Sequence, residues 1–121
     1  MPPTQRRPMG SLETEVMEVL WSTDRACTPA QVRDAMGTDL AYTTVMTILT
    51  RLWHKGLATR EKRGRAFAYR AASSEADLLA RRMREQLARS TDRVSTMLRF
   101  VEGLDPGEAD QLRALLEEAD G

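Results

Sequence analysis

The stretch AYTTVMTILTRLWHKG, Ala41 to Gly56, constrains the fold more than any other part of the chain. Val45, Ile48, Leu49 and Leu52 recur at the i, i+3, i+4, i+7 spacing that predicts an amphipathic helix with this stripe turned to a core. The opposite face carries Thr43, Thr44, Thr47, Thr50 and Arg51, with no carboxylate between Tyr42 and Lys55. Threonine lowers helix propensity because its β-branch restricts the rotamers, so folding alone does not ask for it here. Two readings stay open on this stretch by itself. One is a solvated polar face. The other is a surface that enters a DNA major groove, threonine offering a methyl to thymine and a hydroxyl to base edges or phosphate, arginine reaching guanine or phosphate.

Charge is distributed to match the second reading. The 121 residues sum to zero formal charge, yet residues 1–70 hold 11 Lys/Arg against 7 Asp/Glu and residues 71–121 hold 7 against 11. Within Arg51 to Arg70 seven cations (Arg51, Lys55, Arg60, Lys62, Arg63, Arg65, Arg70) face a single acid, Glu61, the local footprint expected of nucleic-acid contact. Aromatics make up 5% of the chain, so the core is expected to be aliphatic and methionine-rich. Cys27 is the only cysteine. That excludes a disulfide framework and a thiolate metal cluster and fits a reducing compartment; Cys27 reads as a small half-buried residue rather than a redox sensor. No apolar run reaches the ~18 residues of a membrane span. Arg6-Arg7 is followed by no apolar segment, so it is not expected to be a twin-arginine leader. The expected location is cytoplasmic, with no membrane insertion.

In chain order, residues 1–10 hold three prolines and two arginines without periodicity and are expected to be a disordered tail, either a plain leader or a basic arm. Ser11 is an N-cap candidate for a first helix striped by Leu12, Val16, Met17, Leu20 and Trp21. After a polar link, Thr28-Pro29-Ala30-Gln31 combines a capping hydroxyl, a first-turn proline and a capping-box glutamine, and Gly37 ends this second helix. Thr38 to Leu40 is the connection to the central helix, which Gly56 stops. Leu57 to Lys62 and Arg65 to Arg70 then flank Arg63-Gly64, a tight-turn pair, with Phe67 and Tyr69 on one face of the second strand. Three helices and a basic β-hairpin read as a winged helix over residues 11–72. Arg63 and Arg65 are its tip candidates for phosphate contact, and a protein-binding winged helix is the competing reading.

Residues 73–121 change character, with neither proline nor glycine before Gly103. Ser73 or Ser74 caps a helix reaching about Ser90, Thr91 starts another, and Asp105-Pro106-Gly107-Glu108 repeats the capping-box signature. The stripes of these helices comprise Leu78, Leu79, Met83 and Leu87, then Val94, Met97, Leu98 and Val101, then Leu112, Leu115, Leu116 and Ala119. About 50 residues of short helices cannot easily bury such stripes alone. They are expected to form a dimerisation region against a second copy, the alternative being packing on the chain's own winged domain. The fold class is therefore mainly α with a small β-hairpin: an N-terminal winged helix-turn-helix and a C-terminal helical dimerisation region.

The string LAYTTVMTILTRLWHKGLATREKRGRAFAYRA, followed by RFVEGLDPGEADQLRALLEE, closely resembles the BlaI/MecI/CopY family of bacterial penicillinase-type repressors, from about Ser11 to Asp120. The resemblance implies repression by occupancy of a double-stranded DNA operator, a dyad of TACA and TGTA half-sites bound by a homodimer. Recognition-helix positions of the family fall on Thr43, Thr44, Thr47 and Arg51. Thr44, Thr47 and Arg51 match residue types seen in members, whereas Thr43 and Met46 stand where some members carry cations. In the β-lactam branch a membrane sensor-protease pathway cuts the tail at an Asn-Phe bond before a Val-Glu pair. The matching bond here is Arg99 to Phe100, and arginine in place of asparagine counts against cleavage. The cysteine-rich copper motif of the copper branch has no counterpart.

Enzymatic chemistry is not expected. The single histidine, His54, sits at a helix end beside Lys55, where a cation suits the helix dipole and no nucleophile-base pair can be completed. With one His and one Cys there is no zinc site, no phosphate-binding loop is present, and no cofactor is expected. The function expected is a homodimeric DNA-binding transcriptional repressor. The alternatives are a protein-interaction adaptor without an operator and a ligand-responsive regulator.

Overall fold

The structure, a computed structural model, describes residues 9–37 and 39–120. Helices α1 (Met9–Trp21), α2 (Pro29–Met36) and α3 (Tyr42–His54) lead into strands β1 (Ala58–Arg63) and β2 (Ala66–Ala71), and helices α4 (Glu75–Ala88), α5 (Arg93–Glu102) and α6 (Pro106–Asp120) complete the chain. Residues 1–8 of the expected tail, and Thr38 of the expected connection, lie outside the described residues. Met9 and Gly10 already belong to α1, so Ser11 sits inside the helix instead of capping it. The chain divides into two compact units between Leu78 and Leu79. That division falls six residues beyond the expected 72/73 boundary, because Leu78 in the first turn of α4 is 2% exposed and belongs to the first unit's core.

The first unit is built around the predicted stripe. Val45, Ile48, Leu49 and Leu52 of α3 are fully buried, packed with Leu12, Val16, Met17 and Leu20 of α1 and Val32 of α2. Burial of four aliphatic side chains contributes on the order of 6–12 kcal/mol before chain entropy. The propensity cost of four threonines is about 2–3 kcal/mol. Packing therefore decides that α3 is a helix despite its composition. Helix α2 begins with the expected reciprocal box, Gln31 N–H donating to Thr28 Oγ1 at 3.3 Å and Thr28 N–H to Gln31 Oε1 at 2.9 Å, and ends on Gly37 in the left-handed region. Trp21 Nε1 donates to the Ser73 carbonyl at 3.0 Å, tying α1 to the residues that precede α4.

Strands β1 and β2 pair antiparallel from Ala58↔Ala71 to Arg63↔Ala66. The turn is thus Gly64-Arg65, one residue later than expected. Gly64 has φ +64° and among the described residues no non-glycine has positive φ, the pattern of a type II′ turn, which wants glycine at its first central position. Cys27 adds a further rung on the other edge of β2, exchanging backbone bonds with Tyr69 at 2.8 and 2.9 Å, and is half-buried.

The second unit is helical, and its caps are local. Asp105 and Glu108 exchange the expected capping-box bonds at 3.2 and 2.8 Å. Asp92, rather than Thr91, caps α5. Its carboxylate accepts the Ser95 hydroxyl at 2.6 Å and the Ser95 N–H at 3.1 Å, and these bonds, the hydroxyl first, hold its pKa below the ordinary 3.8. A depressed folded-state pKa makes the cap's stabilisation present above the unfolded-state value and lost as pH falls through the folded one. An NMR titration is expected to place the Asp92 carboxyl below ordinary aspartate, with acid fraying of the first turn of α5 that Asp92→Asn removes. Titration at or above the ordinary value would contradict this. Neither α5 nor α6 has a buried residue.

Candidate nucleic-acid interface

Because α3 buries one side completely, its other side is fixed as an outward face. Thr43, Met46, Thr47 and Arg51 are exposed there, and Thr44 and Thr50 are half-buried at its edges. Met46, Thr47, Thr50, Arg51, His54 and Lys55 line a shallow open depression of ≈ 450 Å³ along this face. The helix begins at Tyr42, and its N-cap residue Ala41 makes no side-chain capping bond; the Thr44 N–H donates to the Ala41 carbonyl at 3.1 Å.

The threonines are not equivalent. Thr47 Oγ1 donates to the Thr43 carbonyl and Thr50 Oγ1 to the Met46 carbonyl, both at 2.9 Å. With its proton bound to the helix, each of these hydroxyls presents a methyl group and acceptor lone pairs outward. Such a surface complements the thymine methyl and the amino donors of adenine and cytosine, not phosphate, which only accepts. The sequence reading, which allowed all the threonines either role, is narrowed accordingly.

The seven cations of Arg51 to Arg70 also separate. Lys55 pairs with Glu13 of α1 at 2.9 Å. Arg63 donates to the Ala26 carbonyl at 3.2 Å and Arg70 to the Asp24 carbonyl at 2.6 Å, so both hold the hairpin to the link before α2. Arg60 lies over the Trp53 and Phe67 rings. Among the described residues, Arg51, Lys62 and Arg65 are exposed and have no hydrogen-bond or ion-pair partner. Of the two wing residues singled out by sequence, Arg65 is therefore free at the turn, whereas Arg63, though exposed, is engaged with the Ala26 carbonyl and lies 3.8 Å from the Glu61 carboxylate. Lys62 joins the free set although it was counted only in the charge total. Strand parity separates Lys62 from Arg63, but applying it needs the position of the turn.

Apolar positions expected at a dimer surface are exposed in the second unit or at its start. They include Leu79, Met83, Met97, Leu98, Val101, Leu115 and Leu116, while Leu87 and Leu112 are half-buried. The Arg99–Phe100 bond lies inside α5; Arg99 pairs with Glu102 at 3.4 Å, and the Arg99 and Phe100 carbonyls both accept from Gly103 N–H. Among the described residues, no group of three His, Cys, Asp or Glu side chains forms a metal cage, and no helix is long and apolar enough to cross a membrane.

Three packed helices, a hairpin seated beside the third, and an open hydroxyl-and-cation face on that third helix define a winged helix-turn-helix protein of the transcription-regulator class. The model of the penicillinase repressor family matches residues 9–118. The transcriptional regulator BlaI of Mycobacterium tuberculosis, in strains CDC 1551 / Oshkosh and ATCC 25618 / H37Rv alike, is 40% identical over 115 residues, covering 91% of this chain and 83% of that protein. The solution structure of the DNA binding domain of the repressor BlaI is 28% identical, with a TM-score of 0.49, over 64% of this chain and 90% of that one. That of the Bacillus licheniformis BlaI monomeric form in complex with the blaP half-operator is 29% identical, with a TM-score of 0.45, over 60% and 87%. The chain belongs to the penicillinase repressor family, a family of transcriptional repressors and not of enzymes.

Proposed function

We propose that this protein represses transcription as a cytoplasmic homodimer that occupies a dyad operator with TACA/TGTA-like half-sites. Each α3 enters a major groove through Thr43, Thr44, Met46, Thr47 and Arg51, and each wing lies along the phosphates. The observation that carries the reading is the division of α3 itself: four residues of one stripe have no exposure while the opposite face is open and free of carboxylates. Dimerisation through the second unit is supported by α5 and α6, which have no buried residue in the single chain, with Val94 at 74% and Leu115 at 61% exposure. Each such side chain covered by a second copy contributes roughly 1.5–3 kcal/mol. A two-fold arrangement of this kind sets the two α3 helices one duplex turn, about 34 Å, apart. A sensor-protease acting on this chain meets the Arg99–Phe100 bond within a helix that has to open before it is cut.

Fluorescence anisotropy on a TACA/TGTA duplex at several salt concentrations tests the proposal. Of the cations between Arg51 and Arg70, Lys62 and Arg65 are left free for phosphate on each chain, about four contacts per dimer, so log K against log salt is expected to fall with a slope of about −3 to −4. A slope near zero, or equal affinity for the dyad and a scrambled duplex, contradicts it.

A further inference from the structure

Arg60 stands apart from the other wing cations. It lies directly opposite Tyr69 in the hairpin, and Phe67 is two residues along β2, opposite Lys62. Tyr69 uses both of its backbone groups on Cys27. Its pairing with Arg60 is therefore the kind without mutual hydrogen bonds, in which cross-strand side chains come closest. From there the guanidinium carbon of Arg60 reaches 3.5 Å from the Trp53 ring centroid and 3.9 Å from the Phe67 centroid, and its Nη1 donates to the buried Tyr69 hydroxyl at 3.3 Å. Trp53 is on α3, two residues after Arg51; Phe67 and Tyr69 are on β2. One cation thus joins the helix to both strands of the wing.

We propose that Arg60 is a positioning residue for DNA binding. By holding Trp53 against Phe67 and Tyr69 it fixes the angle between α3 and the hairpin, so that Lys62 and Arg65 meet the duplex backbone when α3 is in its groove. Its flat guanidinium, stacked between two rings and bonded to a phenol, does not itself reach phosphate. The inference rests on the DNA-binding reading above. Its chemistry requires arginine: lysine keeps the charge but has no plane to lie between two rings.

The test is a mutant cycle on the full chain, with anisotropy on the TACA/TGTA duplex and on a scrambled duplex at low salt. In the native background Arg65→Ala is expected to weaken binding about tenfold per half-site. In an Arg60→Gln background the same change is expected to cost less than about twofold, because the wing is no longer held where Arg65 works. Arg60→Lys is expected to behave like Arg60→Gln. A purely structural role would lower the melting temperature and leave the Arg65 cost unchanged, and a direct phosphate contact would be rescued by lysine; either result overturns the proposal. Phe67→Leu, which removes one wall of the stack, carries the same cycle should Arg60→Gln fail to fold. An unmodified chain that binds neither duplex overturns the DNA-binding reading and this inference with it. Binding with additive costs overturns this inference alone.

Discussion

Replacing Leu98 and Leu116 together by glutamine is expected to leave a folded monomer and to weaken operator binding by about a hundredfold or more. Both residues are more than half exposed in the single chain, at 56% and 60%, on helices with no buried residue. In the proposed dimer each change removes apolar burial and places an amide where only apolar neighbours are available, about 3 kcal/mol at each of four sites. That exceeds what a small helical interface can lose at micromolar concentration. The winged unit keeps its shape, since its core reaches only from Leu12 to Leu78. Each half-site is then bound independently, and the gain from linking two reading heads, about 10²- to 10⁴-fold, disappears. Glutamine adds no charge, so electrostatic repulsion from DNA does not confound the result. Sedimentation velocity reads the first effect and anisotropy the second; a double variant that stays dimeric contradicts the assignment of these stripes.

Arg51→Ala carries the second large effect. Arg51 is exposed in the last turn of α3, on the open side of the helix, and its loss should leave the melting temperature unchanged. A bidentate arginine on a base edge is worth about 1–3 kcal/mol of discrimination. Two copies on a dyad therefore make about 2–6 kcal/mol, and the preference for the dyad over a scrambled duplex should collapse. Lys62→Ala and Arg65→Ala, by contrast, are expected to weaken both duplexes alike and to flatten the salt dependence. Arg63→Ala should do less to binding than either, because its guanidinium is engaged with the Ala26 carbonyl. If Arg51→Ala lowered affinity equally for both duplexes, Arg51 would be a phosphate contact and base reading would fall to the threonines and Met46.

What could be read in the chain beforehand was whatever is local. The stripe Val45, Ile48, Leu49, Leu52 turned out fully buried, and both capping boxes formed with the residues expected. Helical spacing and capping chemistry act within one or two turns, so a single segment carries the whole signal. Two features depended on partners distant in sequence. The Cys27–Tyr69 rung is one residue long, and nothing as short as that shows strand alternation. The fates of Arg60, Arg63 and Arg70 follow from the hairpin register, which was set by Gly64 at the first turn position and not the second. A turn placed one residue early was enough to hide which cations are bonded within the fold and which are left without a partner. Threonine chemistry lay between these cases: the composition of the face was evident, but the hydroxyl bonds of Thr47 and Thr50 to their own helix emerge only from coordinates.

The central claim is that the outward face of α3 is the surface that meets DNA. NMR of the ¹⁵N- and methyl-labelled full chain, titrated with the TACA/TGTA duplex, tests it most directly. The largest shifts are expected at Thr43, Thr44, Met46, Thr47 and Arg51, smaller ones at Lys62 and Arg65, and almost none at Val94, Leu98 or Leu116. Unmoved α3 resonances in a chain that nonetheless binds the duplex, or shifts concentrated in α5 and α6, would contradict it.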